Sequence, residues 1–577
     1  MNRDLTAVGG NTFPVKEQLK SRCGAKWDRD SKVWMVPADK LEEALAIVRG
    51  NSPEPTKHIS HAGIKWSPEQ EKFVQWFRTG KGNYVVRARA GSGKTFNIIG
   101  GIDQAPEPTI IYLVFGAKNR DEAVEKISDP RVQVLSLHQA GFRFGIKKYW
   151  PKSHIDRDSS NAVEWDRIRT ACGGDVPDEV GSEIFKLVGF AKNVFCGVPE
   201  QDDCEALAID RDIECEAYEA PEDGGWTVSR LAEVCIEVLR LTCTPDSQNR
   251  VCFNDMVWLP VAMNWISPKF PLVVVDECQD QNAPQLAIAR GLCSGRIAVV
   301  GDDRQAIYEF RGACQNGISL MKELLQAEEQ GLTYTRRCAK AIVREAQVLV
   351  PDYKAFDDAS EGIVDEIFSG KLQEQARRGD AILSRLNAPL VPLWLSFIRK
   401  GIACKIEGKD MAVQFLNIIK KFKARSIPEV IRKAEAWGKR MTARLGKPNE
   451  QKVYLIQDQV ATIIAIVDGL GSVAEIEPRI KSIFADTGKD GNNAVILSTV
   501  HKAKGLEWNR VFILCPTFKF KGGQEDNIKY VAITRAKTHL TYVDGRLIVL
   551  SQSVAVSKQL KRKERKNYKV PRHPVED

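Results

Sequence analysis

The stretch "NYVVRARAGSGKTFNIIGG" sets Gly91, Ser92, Gly93, Lys94 and Thr95 in an order that suits a phosphate ligand. An apolar strand would end there in a loop of small residues. The backbone N–H groups of Ala90, Gly91, Ser92 and Gly93, with the start of a helix, would then point at an anion. Lys94 would neutralise the β- and γ-phosphates of a nucleotide, and Thr95 would hold Mg²⁺. Ala88 stands where the general pattern has its first glycine. Further along, "FPLVVVDECQDQN" reads as a continuous apolar run of the buried parallel-strand kind. At its end Asp276 can hold the metal while Glu277 prepares a water. Loop and strand together predict hydrolysis of a nucleoside triphosphate. A third run, "VVGDDRQAIYEFRGA", places Gln305 just past a strand end, where its amide could read the γ-phosphate. Tyr308 and Phe310 lie two residues apart and share one side of an extended segment. Aromatic faces stack nucleobases at about 1 to 3 kcal/mol each with little sequence preference. The alternative is that both rings are core, but their setting among Glu309, Arg311 and Gly312 suits a rim better.

Positioning such groups takes buried sheets, and the chain has the means. Its 577 residues allow three to five domains of ordinary size, and 43% hydrophobic with 28% charged residues is a globular composition. Two sets of apolar runs predict two parallel α/β cores: "TIIYLVF", "VQVLSLH", "LVVVDE" and "RIAVVGD" in the first, "DAILSR", "AVILST", "RVFIL" and "HLTYV" in the second. The longest apolar run, "LVPLWLSFI", falls short of the roughly 20 residues of a membrane span. The start lacks the apolar core of a signal peptide, so a cytoplasmic protein without a membrane partner is expected. Fourteen cysteines without a CxxC pair indicate buried thiols and not a zinc module or disulfide framework; Cys172, Cys196, Cys204 and Cys215 match no iron–sulfur spacing.

The net charge of +9 conceals asymmetry. Residues 151–250 carry 10 basic and 22 acidic residues, whereas 420–452 carry 11 basic and 3 acidic, and the tail "KQLKRKERKNYKVPR" is more basic still. Basic tracts attract polyphosphate backbones, although many are merely solvated surface. Residues 1–52 read as a helix, a hairpin with "DRDSK" at its turn between Trp27 and Trp34, and a second helix, followed by a linker at 53–63.

These motifs, in this order over most of residues 64–545, resemble those of the UvrD/Rep-like helicases of superfamily 1A. "WSPEQ" is similar to the Q motif, with Gln70 expected to read adenine, and "RAGSGKT", "LVFGAKNRDEA" and "SLHQAG" are similar to motifs I, Ia and Ib. "VVVDECQD" and "GDDRQAIYEFRGA" resemble motifs II and III, and "LTYTRRCAKAIV" resembles motif IV, with Arg337 as a first arginine finger. "STVHKAKGLEW" resembles motif V, with Gly505 and Glu507 at the nucleotide, and "KYVAITRAK" resembles motif VI, with Arg535 as the second finger. The resemblance assigns DNA contacts to His138, Tyr308, Phe310, Arg311, Thr499 and His501. Arg89 within the P-loop and Arg336, where an aromatic ring usually meets adenine, are departures. An arginine plane can itself stack on a base.

The resemblance implies an α/β protein with two RecA-like parallel-sheet domains and ATP in the cleft between them. Domain 1A would take 64–143 and 256–325, and domain 2A 326–415 and 490–548. A mostly helical, acidic 1B insertion would occupy 144–255 and a shortened basic 2B insertion 416–489. A small α+β module (1–52) precedes these, and a basic tail (549–577) follows. The module is similar to small Trp-containing modules of bacterial and phage DNA-processing proteins, and its role is open between binding DNA, binding a partner and stabilising the chain; it or the acidic insertion is where any protein partner would bind. The activity implied is an ATP- and Mg²⁺-dependent DNA helicase moving 3′→5′ on single-stranded DNA and opening single-strand/duplex junctions. A translocase that strips proteins from DNA without processive unwinding and a non-catalytic DNA-binding scaffold are the alternatives. Intact Lys94, Glu277, Arg337 and Arg535 argue against the scaffold.

Overall fold

The computed structural model describes residues 5–8, 15–28, 33–50, 66–79, 81–155, 162–211, 213, 226–308, 316–407, 409–443, 450–484 and 494–547. The chain divides into two compact units, Met1–Arg337 with Arg440–Asn449 and Cys338–Lys439 with Glu450–Asp577. No helix among the described residues is long and apolar enough to cross a membrane.

The first unit opens with a three-stranded antiparallel sheet in the order β1-β3-β2: β1 (Leu5–Val8), β2 (Lys26–Asp28) and β3 (Val33–Pro37). Trp27 pairs with Trp34 across the hairpin, as the sequence suggests, with the rings edge-on at 5.3 Å. Helices Lys16–Cys23 and Leu41–Gly50 follow the expected order, and β1 is an additional strand. Most of the expected turn, 29–32, and the linker 53–63 lie outside the described residues.

Next come β4 (Tyr84–Ala88), β5 (Ile110–Val114) and β6 (Val132–Ser136). The chain then leaves for a layer of four helices, Ala162–Cys172, Asp178–Val194, Gln201–Asp210 and Val228–Thr242. A short parallel pair, β7 (His154–Ile155) and β8 (Arg250–Val251), brackets that layer. The chain returns in β9 (Phe270–Val275), β10 (Cys293–Gly301) and β11 (Glu328–Leu332). The resulting sheet is parallel throughout, in the order β11-β4-β10-β9-β5-β6. Its apolar strands are buried because both faces are covered: Phe73, Phe77 and Ile98 pack on one side, Leu137, Leu286 and Ile288 on the other. Such a sheet offers its ligand site at the carboxyl ends of the strands.

One boundary moves. Residues 328–332, which the sequence reading gives to the second core, pair with β4 from Glu328↔Tyr84 to Leu332↔Ala88. This pairing fixes the segment through Arg337 to the first unit, so Arg337 shares a unit with Lys94. In the insertion, Cys204, Cys235 and Cys252 are buried free thiols, whereas Cys196 is exposed.

The second unit holds β12 (Ile363–Ile367), β13 (Ala381–Ser384), β14 (Cys404–Ile406), β15 (Val495–Thr499), β16 (Trp508–Leu514) and β17 (Ala536–Val543). They form a second parallel sheet in the order β12-β17-β16-β13-β15-β14. Helices Lys409–Lys421, Ile427–Ala443, Glu450–Val467 and Ile476–Ile483 are inserted between β14 and β15. Their residues Phe415, Val430, Ile463 and Ile480 share one hydrophobic core with Ile382, Leu497 and Phe512 of the sheet.

Candidate functional site

The carboxyl ends of β4, β9 and β10 bring the phosphate-loop residues together. Gly91 and Gly93 take left-handed backbone angles, φ +67° and +80°, that let the loop turn from β4 into helix Lys94–Ile102. At Gly91 a side chain would collide with Cβ of Arg337 and the hydroxyl of Thr335, while the Gly91 carbonyl accepts from Arg336 N at 3.0 Å. The segment after β11 therefore lies directly along the loop. Ser67 and Gln70 form reciprocal cap bonds of 2.9 and 3.2 Å at the start of helix Pro68–Thr79. The Gln70 amide also donates to the Ser92 carbonyl at 3.0 Å, so the proposed adenine reader braces the loop.

Lys94 Nζ donates to Glu277 Oε2 at 2.7 Å. Burial pulls the Lys94 pKa down, but the charges of Glu277, Asp276 and Asp302 outweigh it and raise the pKa overall, so the ammonium persists. Asp276 is 6% exposed and accepts from the Tyr112 hydroxyl at 2.7 Å and from Glu277 N at 2.8 Å. Burial, reinforced by the Glu277 charge, pushes its carboxyl up to about 6. Two adjacent carboxylates near the Thr95 helix start make a hard-oxygen donor set suited to a divalent cation. Glu277 sits at φ 51°, ψ 44°, a left-handed conformation costly for a residue with a side chain and typical of strain kept at working sites.

From Glu277 a chain of bonds leads away from the phosphate loop. Gln279 Nε2 donates to Glu277 Oε2 at 2.5 Å, Asp302 N donates to Gln279 Oε1 at 2.9 Å, and Gln305 Nε2 donates to Asp302 Oδ2 at 2.6 Å. Gln305 is thus tied to Glu277 through two side chains. Three residues on, the Tyr308 ring lies nearly parallel to Phe115 at 6.4 Å. Phe310 and Arg311 fall outside the described residues.

A second ring pair flanks a cavity of about 490 Å³ lined by Phe115, Ala117, His138, Phe253 and Gln281, within the range of small-ligand pockets. His138 sits on the short helix Leu137–Gly141, fixed by a capping box between Ser136 and Gln139. Its ring stacks on Phe253 at 4.0 Å, and burial pushes its pKa down to about 4, so it meets the phenyl ring as a neutral imidazole. Phe253 is 55% exposed, so part of its surface stays open to solvent. Phe115 and Phe253 are the residues that sequence reasoning missed. The first lies in the run "LVFGAKNRDEA", and the second follows β8, where the chain leaves the helical insertion. The flat rings and cavity can stack bases, so Phe253→Ala should weaken single-stranded DNA binding by about 1 to 3 kcal/mol. Fluorescence titration with an oligonucleotide checks this; unchanged affinity would remove the ring from the binding face.

In the second unit, Arg535 is 1% exposed. Its guanidinium donates to the Val531 and Leu506 carbonyls at 3.0 Å each and to Thr534 Oγ1 at 3.2 Å. Glu507 pairs with Lys537 at 2.8 Å, Gly505 has φ +86°, Thr499 is the last residue of β15, and His501 lies on the short helix Val500–Ala503 that follows. Arg336 is exposed.

The family described as the UvrD/REP helicase N-terminal domain matches residues 239–326, and the one described as the UvrD-like helicase C-terminal domain matches residues 494–543. The first span takes in Asp276, Glu277 and Gln305; the second takes in Glu507 and Arg535. F-box DNA helicase protein 1 of Schizosaccharomyces pombe is 25% identical over 577 residues, covering 89% of this chain and 61% of that protein. ATP-dependent DNA helicase Rep of Buchnera aphidicola subsp. Baizongia pistaciae is 29% identical over 150 residues, covering 23% of this chain and 22% of that one. ATP-dependent DNA helicase PcrA of Staphylococcus aureus is 27% identical over 176 residues, covering 26% and 24% respectively. The chain therefore spans about three fifths of the first relative and less than a quarter of the other two.

Proposed function

We propose that the chain, which matches both UvrD-like helicase families and helicase relatives, is a UvrD/Rep-like, ATP-dependent DNA helicase of the cytoplasm. In this reading it translocates 3′→5′ on single-stranded DNA and opens duplex at junctions. The observation that carries it is the bonded path from Lys94 through Glu277, Gln279 and Asp302 to Gln305, which joins a phosphate loop to a segment bearing an aromatic ring.

Lys94 binds the β- and γ-phosphates, and Thr95 and Asp276 hold Mg²⁺, which neutralises phosphate charge when bound. Glu277 accepts the proton of the attacking water. Arg337 and Arg535 stabilise charge on the transferring phosphoryl group, and Gln305 senses that group. Gln70, Arg336, Gly505 and Glu507 hold the base and ribose, with Arg336 stacking on adenine. His138, Tyr308, Phe310, Arg311, Thr499 and His501 follow the strand, joined by Phe115 and Phe253. Rings that grip in one nucleotide state and release in the other move the strand. A protein partner would meet the N-terminal module or the acidic insertion.

Steady-state ATPase assays should show stimulation by single-stranded DNA that Lys94→Ala abolishes. A duplex with a 3′ overhang should be opened and one with a 5′ overhang left intact. Preference for the 5′ overhang would reject the polarity, and an unstimulated ATPase would reject the motor. Translocation that strips proteins without processive unwinding is the second reading. It is favoured by the second insertion, whose described residues Phe415, Val430, Ile463 and Ile480 pack into the core of its own sheet. Displacement of streptavidin from single-stranded DNA without strand separation would establish it.

A further inference from the structure

Arg89 is the residue of the phosphate loop that neither nucleotide binding nor chemistry uses. It is 8% exposed, and its backbone N–H donates to the Leu332 carbonyl at 2.8 Å, which pins it between β4 and β11. Its guanidinium turns the other way. Nη1 donates to Asp303 Oδ1 at 2.7 Å and to Asp302 Oδ1 at 3.3 Å, in the loop that follows β10. Asp302 is completely buried. Its other oxygen holds the Gln305 amide, and its own N–H is held by Gln279. Two routes therefore leave the phosphate loop and meet at Asp302, one through Lys94, Glu277 and Gln279, the other through Arg89 alone.

A buried ion pair returns little net stability, because desolvating both partners offsets their attraction; what it does fix is geometry. Arginine suits that task, being permanently charged and planar, with donors that can serve two carboxylates at once. A loop that needs only small residues to approach phosphate has no use for such a side chain on its own account.

We propose that Arg89 is a positioning residue that couples the phosphate loop to the Asp302–Tyr308 segment, so that nucleotide state is transmitted to the base-stacking rings. The proposal rests on the reading of the chain as a DNA-stimulated ATPase. When the loop shifts on binding or releasing a γ-phosphate, Arg89 carries Asp302 and Asp303 with it. Gln305 and Tyr308, two to six residues farther on, move as one piece with them.

The test compares ATP turnover of the full chain at saturating oligo-dT with turnover in its absence. In Arg89→Leu this stimulation ratio should fall about tenfold, a usual size for coupling between two sites. The KM for ATP should stay within about twofold, because ground-state binding is not what is lost. Arg89→Lys should recover part of the ratio, since an ammonium keeps the charge without the fork. Asp303→Asn should lower the ratio in the same direction. A purely structural role would lower the melting temperature and leave the ratio alone. A folded Arg89→Leu with the parent's ratio overturns the coupling role. If Arg89→Leu fails to fold, Asp303→Asn with the parent's ratio overturns it equally. A parent that oligo-dT does not stimulate removes the motor reading and the coupling role together.

Discussion

Glu277→Gln should lower the kcat for ATP by about 10²- to 10⁴-fold, the range spanned by general-base catalysis, while KM for ATP changes by less than about threefold. Glutamine has the shape of glutamate and keeps an oxygen to accept from Lys94 and Gln279, which now bond Glu277 Oε2 at 2.7 and 2.5 Å. The left-handed backbone at position 277 is retained at the same cost, so the fold has no reason to change. The ability to take a proton from water is lost. Binding should survive because Lys94 and the loop N–H groups remain in place, and a fluorescent nucleotide can verify that. If the variant kept more than about a tenth of the parent's turnover, the base would have to lie elsewhere.

The sheets were legible because their strands are long apolar runs: "IIYLV" and "FPLVVV" are buried from end to end apart from Pro271. The strand "EEQGL" was not, because it is polar, with Glu328 exposed and only Gln330 and Leu332 buried. It becomes a strand through its pairing with β4, and without that partner nothing in five such residues predicts it. That is why the sequence alone assigns the chain through Arg337 to the second core. The phosphate loop and Asp276 with Glu277 were legible for the opposite reason: their chemistry is local in sequence. The Arg89–Asp302 contact spans 213 residues and was visible only as an unexplained arginine. Phe253 and His138 lie on either side of the helical insertion, so their stacking also belongs to the tertiary structure.

Lys192→Met should destabilise the first unit by about 3 to 5 kcal/mol, the cost of stranding a buried charge. The Lys192 side chain is fully buried, and Nζ reaches Glu164 Oε2 at 2.7 Å and Asp255 Oδ1 at 2.8 Å. Arg167 completes the group with a 2.8 Å bond to Asp255 Oδ2. Burial alone would raise the Asp255 carboxyl, but Arg167 and Lys192 outweigh it and hold the pKa below the usual carboxylate range. Asp255 Oδ2 also accepts from Cys252 N at 2.9 Å, so the network fixes both ends of the turn that presents Phe253. Methionine fills the space of lysine without its charge, which leaves Glu164 and Asp255 sharing Arg167. Glu164→Gln added to Lys192→Met should recover part of the loss, because it removes one stranded charge. Hydrogen exchange across helix Asp178–Val194 would report the opening locally. The same variant should weaken single-stranded DNA binding as Phe253→Ala does, and the two losses should not add, since both act through one ring. Full additivity would mean that the clamp and the ring are independent, and a destabilisation below about 1 kcal/mol would mean that the four charges hold nothing in place.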